Sequence, residues 1–162
     1  MSKINTVYLL LGGNVGDTKA VLKTAIKKIE DSIGEVVQQS SLYQTAAWGN
    51  ENQADFLNQI IIVETILSAE AVLQKALLIE EKMGRVRTVK NASRVIDIDI
   101  LYFNDELIDA PHLIIPHPQI QNRQFVLIPL LEIAPNFVHP KFKKNTQQLL
   151  DICTDQLNVQ KI

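Results

Sequence analysis

The sequence predicts an α+β fold in which two helices pack on a mostly antiparallel sheet. Short segments rich in β-branched residues alternate between apolar and polar positions, which is typical of strands with two different faces. Two longer segments carry apolar residues at helical spacing. The order strand-helix-strand-strand-helix-strand is that of the split βαβ, ferredoxin-like arrangement. We therefore expect both helices on one face of the sheet and the fourth strand in its interior.

The first half of the chain supplies one helix and three strands. A buried strand over 6–11 ends at a glycine-rich turn, 12–17, whose aspartate is placed to cap a helix over 18–32. The turn lacks the Gly-Lys-Ser/Thr ending of a phosphate loop, so a tight turn is the simpler interpretation. Further strands are predicted over 35–43 and 56–66.

The second half contains the remaining helix and the fourth strand. A serine caps a helix that is predicted to end at Met83, and a surface loop without apolar periodicity follows over 85–93. The fourth strand runs over 94–103. A later helix near 123–131 is interrupted by Pro129, and a short amphipathic helix lies in the C-terminal tail.

The length and composition of the chain predict one globular domain that spans residues 1–162. The net charge of −2 argues against a protein that coats nucleic acid. A single cysteine, Cys153, excludes an internal disulfide and suits a reducing compartment. Because the sequence has neither a signal-peptide core nor an apolar run of transmembrane length, we expect a cytoplasmic protein without a membrane partner.

The fourth strand carries two acids on one face. Asp97 and Asp99 alternate with Ile96, Ile98 and Ile100, so their Cα atoms lie roughly 6.6–7 Å apart on the same side. Two carboxylates at that spacing repel by on the order of 2–3 kcal/mol at an effective dielectric near 20. Such a pair requires a cation, which is either a divalent metal ion or a nearby basic side chain.

Four basic residues precede this strand, Arg85, Arg87, Lys90 and Arg94. In isolation, the acids are equally well explained by structural salt bridges to these side chains. With the basic cluster attached, a magnesium–polyphosphate site is favoured, because Mg²⁺ takes one or two carboxylates plus phosphate oxygens and guanidinium groups neutralise phosphates. The chemistry that this combination suggests is phosphoryl or pyrophosphoryl transfer.

Other polar and aromatic residues fit the same chemistry but have structural alternatives. Glu80 falls on the apolar stripe of the second helix, where a carboxylate needs a partner such as an arginine. Phe56 and Phe125 can stack on a flat acceptor or simply pack in the core, while Asn58 offers a donor and an acceptor to a ring edge. His117 lies between two prolines, and no histidine has a partner at zinc-ligand spacing.

Several motifs resemble those of the 6-hydroxymethyl-7,8-dihydropterin pyrophosphokinase family, over about residues 8–140. They are DFLN at 55–58, IEEKMGRVR at 79–87, RVIDIDI at 94–100, PH at 116–117, NR at 122–123, FVL at 125–127 and PLLEIAP at 129–135. The resemblance implies that the terminal two phosphates of ATP pass as one unit to the hydroxymethyl group of the pterin, releasing AMP, in folate biosynthesis. We further expect a monomer that acts on small-molecule substrates and has no nucleic-acid partner.

The resemblance also assigns roles by matched position. The catalytic positions are Arg85, Arg94, Asp97 and Asp99, and the two aspartates would bind two Mg²⁺ ions. The pterin-binding positions are Thr45, Ala46, Trp48, Phe56, Asn58 and Phe125. The ATP-binding positions are Glu80, Arg85, Arg87, Lys90, Arg94, Ile100, His117 and Arg123.

One stretch departs from the family pattern. Where relatives usually carry an R-W-x-P-R run, this sequence reads KNASR at 90–94 and looks one residue short. The departure bears on ATP affinity and loop closure, and it leaves a non-catalytic nucleotide- or pterin-binding module as the alternative. Single-stranded RNA binding is disfavoured, because Asp97 and Asp99 place negative charge where bases and phosphates would lie.

Overall fold

The computed structural model describes residues 3–46, 55–84 and 95–162, which form an antiparallel sheet with helices on both faces. Five of the predicted site residues lie outside these ranges, and they are Trp48, Arg85, Arg87, Lys90 and Arg94.

The first half folds nearly as predicted. Its elements are β1 (Asn5–Gly13), α1 (Thr18–Ser32), β2 (Glu35–Gln39), β3 (Tyr43–Thr45) and β4 (Phe56–Thr65). The carboxylate of Asp17 caps α1 by accepting the Ala20 N–H at 3.3 Å, as expected. The segment predicted as one strand over 35–43 is two strands, because the chain bends at Ser40, whose hydroxyl accepts the Ile60 N–H at 2.9 Å.

The second half contains more elements than the sequence predicted. They are α2 (Ala69–Lys82), β5 (Asp97–Phe103), β6 (Ile108–Ala110), β7 (Leu113–Ile115), a 3₁₀ turn (Ile120–Asn122), α3 (Gln124–Ile133), α4 (Thr146–Ile152) and β8 (Val159–Lys161). The expected break at Pro129 is wrong: α3 continues through it, held on both sides by the buried residues Leu127 and Leu130. None of the described helices is long and apolar enough to cross a membrane.

The strand order confirms the ferredoxin-like topology and corrects the position of the acid strand. The order is β5-β1-β4-β3-β8, with β2 also paired to β4, and every pairing is antiparallel. The expectation of an interior acid strand is wrong, because among the described strands β5 pairs with β1 alone. In this topology β1 lies between β4 and β5. The last strand of the split βαβ unit, β5, therefore lies at the edge of the described sheet.

Two apolar cores cover the two faces of the sheet. The core beneath α1 and α2 includes Leu9, Leu22, Ile29, Val63, Ala76 and Ile98. The core beneath α3 and α4 includes Leu10, Ile60, Leu101, Leu127, Leu130 and Leu149. The sequence predicted the first layer of helices correctly but left the second face open, because α3 and α4 follow the split βαβ unit.

A bulge near the end of β5 ends its strict alternation. The pairing with β1 shifts between Tyr8 and Leu9, which leaves Leu101 without an opposite residue. Leu101 and Tyr102 consequently both face α3 and α4, whereas Ile100 faces α1 and α2. Asp97 and Asp99 precede the bulge, so the predicted alternation holds for them.

Candidate active site

The two acidic side chains share one face of β5. Asp97 pairs with Gly12 of β1, and Asp99 pairs with Leu10. Leu10 belongs to the core beneath α3 and α4, whereas Ile98 belongs to the opposite core. Because residues that face one another across two strands lie on the same side, both carboxylates project toward the α3 face. Both aspartates are half-buried.

A row of residues crosses the sheet from the first of these acids. Gly12 pairs with Asp97 on one side and with Asn58 of β4 on the other, and Asn58 pairs in turn with Tyr43 of β3. Asp97 and Asn58 are therefore two strand spacings apart, or roughly 10 Å. Gly12, which lies between them, has no side chain, so the face of the sheet is open at that point.

Asn58 is held in a fixed orientation. Its side chain is 5% exposed, and its Nδ2 donates to the Thr45 hydroxyl at 3.2 Å. Thr45 is opposite Phe56, so Thr45, Phe56 and Asn58 share this face of the sheet. Thr45 thus positions the amide of Asn58, and Ala46 is exposed directly after β3.

Glu80 connects α2 to the acid strand. Because β5 has a partner on one side among the described strands, alternate N–H groups of β5 point away from the sheet. The Ile98 N–H is one of these, and it donates to Glu80 Oε2 at 2.7 Å. Glu80 is 1% exposed, so this bond lies in the interior, between the two aspartates in sequence. The predicted arginine partners of Glu80 at 85–94 lie outside the described residues.

A cleft of about 310 Å³ lies along the outer edge of β5, which is at the lower end of the range for small-molecule sites. It is lined by Leu73, Ile98, Asp99, Ile100, Pro111, His112, Leu113, Ile114, His117 and Pro118. The cleft brings together three predicted ATP-site or metal-site residues, Asp99, Ile100 and His117. The wall of the cleft, the β6–β7 hairpin, was not predicted from the sequence, although the apolar run 113–115 was a signal for it.

His117 is a neutral hydrogen-bond donor at neutral pH. Burial, and then the charge of Arg123, lower its pKa from 6.5 to about 4. Its Nδ1 accepts the Gln119 N–H at 3.1 Å, so the ring proton is on Nε2. Its backbone N–H donates to the Leu101 carbonyl at 2.9 Å, which fixes the ring beside β5.

The start of α3 carries two more of the predicted residues. The guanidinium carbon of Arg123 lies 5.5 Å from the centroid of the Phe125 ring, within cation–π range. Asp155 from the C-terminal tail accepts the Gln124 N–H at 2.9 Å, and the Gln124 side chain donates to the Asp155 carbonyl at 2.7 Å. The tail therefore caps the helix that bears Phe125, a role that the sequence analysis did not predict.

The donor set of the acid face suits a hard divalent ion. Two carboxylates on one face match Mg²⁺, which completes its shell with phosphate oxygens and water. Within the described ranges, no group of three or more His, Cys, Asp or Glu side chains is placed to hold a metal ion. The residues present fit an ion that shares its shell with a phosphorylated substrate better than a protein-enclosed zinc ion.

The ferredoxin-like sheet, its paired acids and the adjacent cleft favour the class of α+β phosphoryl-transfer enzymes. More particularly, the chain belongs to the 7,8-dihydro-6-hydroxymethylpterin-pyrophosphokinase (HPPK) family, whose sequence model matches residues 8–135. The resemblance read from the motifs is thereby confirmed.

Curated relatives agree with this assignment. The 2-amino-4-hydroxy-6-hydroxymethyldihydropteridine pyrophosphokinase of Aquifex aeolicus is 43% identical over 139 residues, covering 86% of each chain. The enzymes of that name from Synechocystis and Bacillus subtilis are each 40% identical, covering 87% and 80% of this chain and 72% and 78% of their own.

Solved structures confirm the fold. The wild-type HPPK-DHPS protein of Plasmodium falciparum with pteroate superimposes with a TM-score of 0.76 at 18% identity, covering 93% of this chain. An HPPK-DHPS complex with substrates gives 0.74 at 19% identity and 92% coverage. This chain spans 42% and 43% of those two longer proteins.

Proposed function

We propose that the protein transfers the pyrophosphoryl group of ATP to the hydroxymethyl oxygen of 6-hydroxymethyl-7,8-dihydropterin, with Mg²⁺, and releases AMP. The observation that carries this proposal is the position of β5. Its two carboxylates share the face that presents Asn58, and Asp99 also lines the edge cleft. One strand thus separates a pocket for the nucleotide from a platform for the acceptor. The names of the curated relatives supply the acceptor.

The acceptor half is formed by the α3 face of the sheet. Asn58 directs its amide toward the polar edge of the pterin, and Thr45 holds that amide in place. Phe56 lies on the same face, and Phe125 is in the first turn of the helix that packs over that face, which supports the proposal that the two rings stack on the pterin. By their match to the family motifs, Ala46 and Trp48 also belong to this half.

The donor half is formed by the cleft. The Nε2–H of His117 donates to a phosphate oxygen without adding charge, because burial keeps the ring neutral. Ile100 contacts the nucleotide from the wall of the cleft, and Glu80 keeps the backbone between the aspartates in position. The residues that neutralise the phosphates are Arg85, Arg87, Lys90, Arg94 and Arg123.

Asp97 and Asp99 would hold the Mg²⁺ ions, which when bound supply positive charge to the phosphate oxygens. In the reaction, the hydroxymethyl oxygen of the acceptor loses its proton to solvent and forms a bond to the β-phosphorus. The bond from that phosphorus to the bridging α–β oxygen breaks, and AMP leaves with this oxygen. The protein contributes alignment and charge rather than covalent chemistry, as is usual for phosphoryl transfer.

The nucleotide product tests the proposal. We expect the purified chain to form AMP and the pterin diphosphate in equal amounts when Mg²⁺, ATP and the acceptor are supplied. Asp97→Asn lowers the turnover number by at least about 100-fold while the chain remains folded. Asp105→Asn, an exposed acid in the turn after β5, is the matched control and keeps full activity.

Two outcomes contradict the proposal. ADP as the product would show transfer of a single phosphoryl group. Binding of ATP and pterin without AMP release would favour the non-catalytic binding module. The single domain, the monomeric state and the cytoplasmic location expected from the sequence stay predictions.

A further inference from the structure

Gly12 occupies a position that no other residue type fits without moving Asn58. A Cβ atom built on Gly12 would lie 2.5 Å from Asn58 Oδ1 and 3.5 Å from the Leu57 carbonyl oxygen. The first of these distances is far inside van der Waals contact. The backbone does not explain the glycine, because its φ is not in the left-handed region, unlike that of Gly16 and Gly84.

The strand register explains why the space between Gly12 and Asn58 is so small. The Ile98 N–H points away from β1 toward Glu80, so the backbone groups of its neighbour Asp97 face β1. Gly12 then turns its own backbone groups toward β5 and away from β4. The Gly12–Asn58 pair is therefore of the non-hydrogen-bonded kind, in which Cα atoms approach to about 4.5 Å and side chains lie closest.

The Asn58 amide turns its oxygen atom toward Gly12. Its Nδ2 is bound to Thr45, and its Oδ1 is the atom that a Cβ on Gly12 would meet. Thus Oδ1 lies directly beside the surface of Gly12. A ligand with N–H donors along one edge can reach that oxygen because the residue beside it is a glycine.

We propose that Gly12 orients the acceptor by leaving the Asn58 amide accessible to it. The polar edge of the ring meets Asn58, and the hydroxymethyl arm extends toward Asp97. The roughly 10 Å between these residues is a span that two fused six-membered rings and a one-carbon arm can bridge. This inference rests on the proposed function and adds the residue that orients the acceptor.

The affinity of the Gly12→Ala variant for each substrate tests the inference. We expect its Kd for the hydroxymethyl pterin, measured by calorimetry, to rise at least about tenfold, as when a hydrogen bond to a buried amide is lost. Its Kd for a non-hydrolysable ATP analogue should change less than about twofold, because the cleft lies at the other side of β5.

A double-mutant cycle shows whether Gly12→Ala weakens pterin binding by displacing the Asn58 amide. In an Asn58→Ala background, Gly12→Ala should change the pterin Kd by less than about twofold, because the amide is already gone. Wild-type pterin affinity in Gly12→Ala, or an equal loss in both backgrounds, would overturn the inference.

Nuclear Overhauser effects in the wild-type chain provide a second test that does not need a variant to fold. We expect contacts between the Gly12 Hα protons and protons of the bound pterin. If the wild-type chain binds pterin without these contacts, the assignment of Gly12 is wrong and the proposed function stands. If the wild-type chain does not bind pterin, both are wrong.

Discussion

Replacement of Glu80 tests the link between α2 and the acid strand. Glu80→Ala leaves the Ile98 N–H without its acceptor, a bond of 2.7 Å at a side chain that is 1% exposed. An unsatisfied buried N–H costs about 1–3 kcal/mol, and the cavity left by the side chain adds to it. We expect a loss of about 2–4 kcal/mol in the free energy of unfolding.

The turnover number of Glu80→Ala should fall by more than its loss of stability alone would cause. The Ile98 amide lies between Asp97 and Asp99, so its release lets the carboxylates move relative to the cleft. A displacement of about 1 Å in a catalytic group can reduce turnover by about 100-fold. The turnover number of Glu80→Ala should therefore fall at least about tenfold at a temperature where the variant is fully folded.

Urea denaturation and steady-state kinetics give the two measurements. Glu80→Gln keeps an oxygen for the Ile98 N–H and should lose about 1 kcal/mol. Glu81→Ala is the matched control, because Glu81 is the next residue on α2 and is exposed. If Glu80→Ala resembles Glu81→Ala in both stability and turnover, Glu80 does not support the acid strand.

Three further predictions concern the surroundings of the site. Asp155→Ala removes the cap of α3, so unfolding free energy should fall by about 1 kcal/mol. The KM for pterin should then rise while the KM for ATP does not, and equal changes in both would contradict this. At Glu132, burial raises the carboxyl pKa, but hydrogen bonds from a serine and from Tyr43 outweigh it, so the pKa lies below 4.5. This stabilisation is present above pH 4.5 and is lost as pH falls below it, and Glu132→Gln should remove it, as acid titration of the two proteins would measure. Burial, and then a nearby lysine, lower the pKa of His139 from 6.5 to about 4, so the unfolded chain binds the proton first. His139 alone should therefore lower stability by about 2 kcal/mol from pH 7 to pH 5, so urea denaturation should find a smaller loss over this range in His139→Asn than in the wild-type chain.

Local patterns in the sequence were enough for much of the fold. In α1, the apolar residues at helical spacing, Leu22, Ala25, Ile26 and Ile29, are buried. Asp17 and Ser68 cap their helices by accepting N–H groups three residues further along. These features depend on neighbours within one helical turn, so spacing and residue type predict them.

Strand placement needed the tertiary structure. The acid strand was expected in the interior of the sheet, yet β5 lies at its end within the described part of the chain. Alternation within a strand says which side chains share a face, but it does not say which strands will be neighbours. The edge position matters for function, because it provides the Ile98 N–H for Glu80 and opens the cleft beside Asp99.

The sequence by itself determined the paired acids of β5, the helix caps and the family motifs, because each depends on residues a few positions apart. The tertiary structure decided that Gly12 would lie between Asn58 and Asp97, and that Asp155 would cap the helix bearing Phe125. These contacts join residues 31 to 85 positions apart in the sequence. They are set by strand register and by the burial of two apolar cores, and no local pattern encodes either one.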